Sequence, residues 1–232
     1  MKTKKISILY YIIFWILLVT SFIFFAGLLL LEANGYRLNR QNFTIQKTAL
    51  IILDGTPREV TVKLNDSITG VTFPARFSKL FPGRYEISVS RDKYQTWTKS
   101  IFLIGGQAIE FPNIYLVSTE PVISKLDLAK FSEERLKNEY NNQSSAFQIK
   151  DNEIWYRNKL VTRFSDPILG AVLMRDSNHI IFQIKNEIRI MEIDGTNNVL
   201  IYKLKTADKT IFSLNGNKLT LLDGGELFQV IF

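Results

Sequence analysis

Residues 6–31 read ISILYYIIFWILLVTSFIFFAGLLLL, an almost unbroken apolar run without a charged side chain. About 20 such residues cross a bilayer core of ~30 Å as a helix, so this run of 26 predicts a transmembrane helix with a tilt or an interfacial end. From residue 44 the pattern changes to short alternating runs. Segments 48–54, 59–64, 76–80, 84–91, 97–104 and 108–116 are rich in β-branched and aromatic residues and predict strands. In Tyr85-Glu86-Ile87-Ser88-Val89-Ser90 the alternation is strict. One face is then buried and one wet, which is the patterning of an antiparallel β-sandwich. Asp54-Gly55-Thr56-Pro57, Asn65-Asp66, Pro82-Gly83 and Gly105-Gly106 interrupt the runs and predict turns.

Segment 118–143 is polar and loses the alternation. Leu128, Phe131, Leu136 and Tyr140 fall near helical spacing with Ser132 as a candidate cap, which predicts a linker holding a short helix. Beyond it a motif repeats. Phe147-Gln148-Ile149-Lys150-Asp151-Asn152-Glu153-Ile154 recurs as Phe182-Gln183-Ile184-Lys185-Asn186-Glu187-Ile188, and more weakly around Leu219 to Leu227. Each copy is two apolar runs around a tight Asn- or Gly-containing turn, hence a hairpin. Segments 160–164, 170–174, 199–202 and 210–214 predict flanking strands, and Asp194-Gly195-Thr196-Asn197 a further turn. Repeated four-stranded units of about 40 residues mark β-propeller blades. The pattern at 188–197 resembles blades of the TolB or WD40-like type. Residues 144–232 hold about two such units, whereas a closed propeller needs at least about four. The apolar C-terminal strand, 227–232, is therefore expected to pair with the sandwich or with another chain, which makes it a candidate oligomer edge.

Charge sets the topology. Lys2, Lys4 and Lys5 precede the apolar run, so the positive-inside rule keeps residues 1–5 in the cytoplasm and sends the rest across a cell membrane. The run is too long for a signal-peptide core, and Leu31-Glu32-Ala33 is a poor cleavage site, which favours an uncleaved signal anchor. Of 29 basic and 22 acidic residues, 26 and 22 lie beyond those three lysines, leaving only +4. Basic and acidic residues alternate there, which is no nucleic-acid footprint.

The residues 80–97 carry a family resemblance. Leu80-Phe81-Pro82-Gly83-Arg84-Tyr85-Glu86-Ile87-Ser88-Val89-Ser90, followed by Tyr94-Gln95-Thr96-Trp97 and an apolar strand, resembles the PEGA domain signature. Val62-Lys63-Leu64-Asn65 and Thr72-Phe73-Pro74 resemble its upstream elements, and Gly35-Tyr36-Arg37-Leu38 a segment of membrane-tethered versions. Lys93 stands where the family carries Gly, and Val60 where it carries Ala. The resemblance spans about residues 34–117. It implies a small extracytoplasmic β-sandwich for surface-layer attachment or for protein or glycan interaction, without catalysis. Its motif residues Pro82, Gly83, Tyr85, Tyr94 and Trp97, with neighbouring Arg84, Arg91 and Lys93, form the candidate binding surface. The rings are expected either in the core or exposed as a glycan platform. Arg76, Lys79, Arg84, Arg91, Lys93 and Lys99 are expected as a solvated basic face or a contact for anionic polymer or lipid.

No Cys and a single His remove disulfides, thiol nucleophiles, Cys-ligated metals and the common catalytic zinc sites. Neither G-x-S-x-G, H-E-x-x-H, a P-loop nor a calcium loop is present. His179 reads as a strand-edge histidine. The expectation is a mainly β, non-catalytic binding or scaffolding protein of the cell envelope without cofactors. Its candidate partners are the bilayer, envelope polysaccharide and other envelope proteins, not nucleic acid. Two alternatives remain: a sensor domain signalling through a membrane partner, and a remnant of a propeller-type hydrolase.

Overall fold

A computed structural model describes residues 2–40, 42–127, 133–144, 147–176 and 178–232. Helix α1 (Lys2–Ala33) is longer than the expected 6–31. Within it Tyr10–Ala33 is long and apolar enough to cross a membrane, and its apolar window is not buried within the chain. At about 1.5 Å per residue this stretch spans roughly 36 Å, more than a hydrocarbon core. The chain leaves the helix through Asn34 and Gly35, which close back on Leu30 and Glu32. A two-stranded hairpin follows at once, β1 (Tyr36–Asn39) with β2 (Thr44–Lys47).

Seven strands then build two sheets. In the first, β3 (Ala49–Thr56) lies between β6 (Ala75–Leu80) and β9 (Ala108–Tyr115). The second runs β5 (Ser67–Thr72), β4 (Glu59–Leu64), β7 (Gly83–Ser90), β8 (Trp97–Leu103). Alternation decides what is buried: Ala49, Ile51 and Leu53 of β3 meet Val60, Val62 and Leu64 of β4 and Ile87 and Val89 of β7 in one core. The strands follow the expected segments closely, but β3 and β9 pair parallel, so this unit is not wholly antiparallel. One expected turn also differs. Gly55 lies inside β3, because the main chain of β9 runs against it; a Cβ there would come within 2.1 Å of the Ile114 carbonyl oxygen. Gly105-Gly106 forms the expected turn, which carries the chain from one sheet to the other.

The expected linker holds a strand, β10 (Val122–Leu126), as well as α2 (Glu133–Ser144). Leu136 is fully buried and the Tyr140 ring packs on Phe212; Leu128, Phe131 and the candidate cap Ser132 lie outside the described residues. Three sheets follow. They are β11 (Phe147–Lys150), β12 (Glu153–Tyr156) and β13 (Lys159–Arg163); β14 (Ile168–Leu173), β15 (His179–Ile184), β16 (Glu187–Glu192) and β17 (Val199–Lys203); and β18 (Phe212–Asn215), β19 (Lys218–Asp223) and β20 (Glu226–Ile231). All their pairings are antiparallel, and each repeated motif is a hairpin: β11–β12, β15–β16 and β19–β20. The middle sheet is buried on both faces. Val172, Ile181, Ile188 and Ile190 point towards the third sheet, while Ala171, Ile180, Phe182 and Met191 point towards the first. A sheet covered on both sides loses the hydrophobic–polar alternation, as β14 and β15 do.

The C-terminal strand is not an edge. β20 pairs with β19 on one side and with β10 on the other, so the strand from the linker covers it within the chain. This corrects the expectation of an oligomer edge at β20.

Candidate functional site

The eight candidate surface residues do not form one patch. β7 and β8 pair from Gly83↔Leu103 at one end to Val89↔Trp97 at the other, about 20 Å away at ~3.3 Å per residue. Pro82, Gly83, Arg84 and Tyr85 lie at the first end, and Arg91, Lys93, Tyr94 and Trp97 at the second.

The second end is a junction between the two β units. Trp97, Lys99, Ile101 and Leu103 occupy one face of β8, so Lys99 stands in a stripe that otherwise faces the core. Its ammonium donates to Glu192 Oε2 and Asp194 Oδ2, both at 2.5 Å, and to Thr196 Oγ1 at 2.7 Å. All three N–H donors are thus used. Burial alone would push the Lys99 pKa down; the bonds to Asp194 and Glu192 outweigh it and leave it raised. For Asp194, burial works upwards, but the Lys99 and Thr196 bonds hold its carboxyl below the usual range. Trp97, 2% exposed, donates its indole N–H to the other Glu192 oxygen and sets its ring edge-on to Phe111. The Thr98 amide donates to Asn197 Oδ1 at 3.1 Å.

Beside these contacts, Tyr115 at the end of β9 donates to the Phe232 main-chain oxygen at 2.7 Å and packs against the His179 and Phe232 rings. Burial pushes the Tyr115 hydroxyl pKa up. His179 Nδ1 lies 2.6 Å from Asp176 Oδ2, and the ring is buried. Burial works upwards on the Asp176 pKa, yet the His179 and Asn178 contacts keep it lowered. The cavity between Trp97, Tyr115, His179 and Asn197 measures about 20 Å³, room for about one water and none for an organic ligand. The chain after Val117 is pinned as well: the Gln95 amide donates to the Val117 carbonyl and the Thr119 amide to the Lys93 carbonyl.

The expected basic face is dispersed. Lys99 is buried at the junction, Lys93 pairs with Glu120 at 3.0 Å, and Arg91 lies over the Tyr94 ring. Lys93 also has φ +64°, a left-handed conformation that explains why glycine suits this position.

The first end faces α1. Tyr85 donates its hydroxyl to the Phe81 carbonyl at 2.9 Å, and burial raises its pKa. The Phe81-Pro82-Gly83-Arg84 segment, the end of α1 and strand β1 enclose a groove of about 1010 Å³. Arg37, Arg40 and Arg84 line it, with Leu28, Leu38 and Glu32. Strand β1 and this arginine group escaped the sequence reading, although Arg37 and Arg40 directly after an apolar helix were a visible signal.

An apolar helix able to cross a membrane, followed by two sheets on one core and a train of antiparallel hairpins, defines a helix-led, mainly β protein. Within it, residues 48–114 match the PEGA domain family model. The match takes in β3 and most of β9 and leaves out α1, the β1–β2 hairpin and the repeats. No curated protein matches the chain.

Proposed function

We propose that the protein is a single-pass, non-catalytic scaffold of the cell envelope. Residues 1–5 stay in the cytoplasm, α1 is an uncleaved anchor, and both β units lie outside the membrane, where they engage wall polymer, a surface layer or partner proteins. The observation that carries this reading is the PEGA match beginning at Thr48, shortly after the apolar helix ends at Ala33. In this reading the two sheets of 48–114 are a PEGA β-sandwich. The three stacked sheets beyond it are propeller-type blades, and β10, drawn from before the first blade, supplies the outer strand of the last. A scaffold role is supported by the chain's single histidine, which is spent on packing against Tyr115 and Asp176.

The test is co-sedimentation of the full chain, in detergent micelles, with purified peptidoglycan and with isolated wall polymer. Retention by either supports the reading. Release of soluble sugar from either polymer would overturn the non-catalytic part. Failure to sediment with both would overturn wall contact and favour a protein partner, the property the sensor alternative shares.

A further inference from the structure

The groove and hairpin beside the end of α1 bring exposed apolar side chains and arginines together. In β1–β2 the register is Tyr36↔Lys47, Arg37↔Gln46, Leu38↔Ile45 and Asn39↔Thr44. Directly opposed residues share a face, so Leu38 and Ile45 lie together on one side with Tyr36, and Asn39 and Thr44 on the other. Leu38 and Ile45 are more than half exposed, and Phe43 at the tip is 81% exposed. A small hairpin that shows its apolar face to water has nothing to offset that exposure.

Other apolar residues gather nearby. The turn after β8 abuts the root of the hairpin: the Gly106 amide donates to the Thr48 carbonyl at 3.0 Å, and a Cβ on Gly105 would lie 2.7 Å from the Lys47 carbonyl oxygen. Ile104, next to it, is 63% exposed, and Phe102 is 68% exposed. Phe102 is directly opposite Arg84, which lines the groove with Arg37 and Arg40. Exposed apolar side chains and arginines thus alternate around the point where α1 ends.

Position supplies the occupant. Only Asn34 and Gly35 separate α1 from β1. A four-residue strand reaches about 13 Å, and the headgroup layer of one leaflet is about 5–8 Å thick. If α1 spans, the root of the hairpin lies at the headgroups and its tip stays within about one strand length of them. We propose that the β1–β2 hairpin and the β8–β9 turn rest on the leaflet into which α1 emerges. Leu38, Phe43, Ile45, Phe102 and Ile104 enter the interfacial layer, and Arg40 and Arg84 take the phosphates of anionic lipid headgroups in the groove. This rests on the reading of α1 as an anchor, and it makes the β3–β9 unit a docked module of fixed orientation, not one swinging on a tether.

The natural chain contains no cysteine, so single spin labels can be placed on the full-length protein. Four label sites are used: Phe43→Cys, Ile104→Cys, Lys159→Cys on an exposed part of the repeats, and Val19→Cys within α1. They are reconstituted into phosphatidylcholine vesicles with and without phosphatidylglycerol, and relaxation by a water-soluble nickel chelate is compared with relaxation by oxygen. The proposal expects nickel access at Phe43 and Ile104 to be several-fold lower than at Lys159. Phosphatidylglycerol should lower it further, and Arg40→Ala with Arg84→Ala should abolish that further fall. Nickel access at Phe43 and Ile104 equal to that at Lys159, with Val19 shielded, overturns the proposal and leaves the anchor standing. Insensitivity to phosphatidylglycerol overturns headgroup binding by the arginines. Free nickel access at Val19 overturns the anchor reading itself, and the proposal with it.

Discussion

The Lys99 ammonium of β8 lies 2.5 Å from the Glu192 carboxylate of β16, two residues 93 apart in the chain that belong to separate β units. Both side chains are about one-seventh exposed, and Trp97 takes the second oxygen of the same carboxylate. One acidic side chain therefore joins two residues of the PEGA-matched unit to the turn between β16 and β17. With Tyr115 bound to Phe232 and the Val117 side chain in the core of the repeats, the two units are held by polar and apolar contacts together.

Breaking the charge pair should cost more than a surface ion pair. Lys99→Met leaves the part-buried Glu192 and the exposed Asp194 without their cation, which should cost about 1–3 kcal/mol, short of a fully buried charge. Glu192→Gln should cost less, because Asp194 still holds Lys99. A double-mutant cycle by denaturant unfolding of the full chain in micelles should give a coupling above about 1 kcal/mol. A coupling near zero would mean that the contact does not join the units.

Acid should weaken this junction. Asp194 and Asp176 have lowered carboxyl pKa values in the folded chain. The unfolded chain then binds more protons near the ordinary Asp pKa of about 3.9, so stability rises with pH there. Their contribution is complete above that value and is lost as pH falls through the folded pKa values. Asp194→Asn should flatten the acid limb of a plot of melting temperature against pH. A limb as steep as that of the parent would place the acid sensitivity elsewhere.

The β strands of 48–116 other than β5 were legible because one face is wet, so alternation survives in the sequence. The hairpins of the repeats were legible for another reason: their turns need Asn, Asp or Gly, whatever the sheets pack against. β10 was not. It is an exposed edge strand whose partner lies about a hundred residues downstream, and neither fact leaves a local pattern. Gly55 looked like a turn residue because a glycine required by close main-chain approach has the same letter as one required by a turn. At the candidate surface, the ring types were legible but their places were not. Lys99 within a core-facing stripe was the visible clue to the junction, and the identity of its partner Glu192 was beyond local reading.

Lys93 offers a test of backbone strain. A left-handed residue with a Cβ carries about 1–2 kcal/mol, which glycine relieves, less its own entropy cost of roughly 0.5–1 kcal/mol. The exposed pair with Glu120 contributes at most about 1 kcal/mol and is removed beforehand by Glu120→Gln. In that background Lys93→Gly should be neutral or stabilising, whereas Lys93→Val should destabilise by about 1 kcal/mol or more. Equal melting temperatures for the Gly and Val variants would contradict the left-handed conformation.

At Gly55 the expectation has the opposite sign. A methyl there collides with the Ile114 carbonyl, which belongs to the main chain and cannot rotate away. Gly55→Ala should cost about 2 kcal/mol or more by forcing β3 from β9. Thermal unfolding followed by circular dichroism would register it, and an unshifted midpoint would refute the close approach.

Trp97 separates a core role from a glycan platform. Its ring is buried against Phe111 and its N–H is directed at Glu192, so truncation to alanine should cost about 3–5 kcal/mol. Trp97→Phe is the sharper variant. It keeps most of the apolar ring and deletes the donor to a charged acceptor, with an expected cost of about 1.5–3 kcal/mol. Because Lys99 still neutralises Glu192, the loss should fall at the lower end of that range and shrink further in a Glu192→Gln background. Polymer sedimentation by the folded Trp97→Phe protein should match the parent, since the ring lies in the core of its own unit and not at the solvent. Loss of sedimentation with unchanged stability would instead return Trp97 to the binding surface.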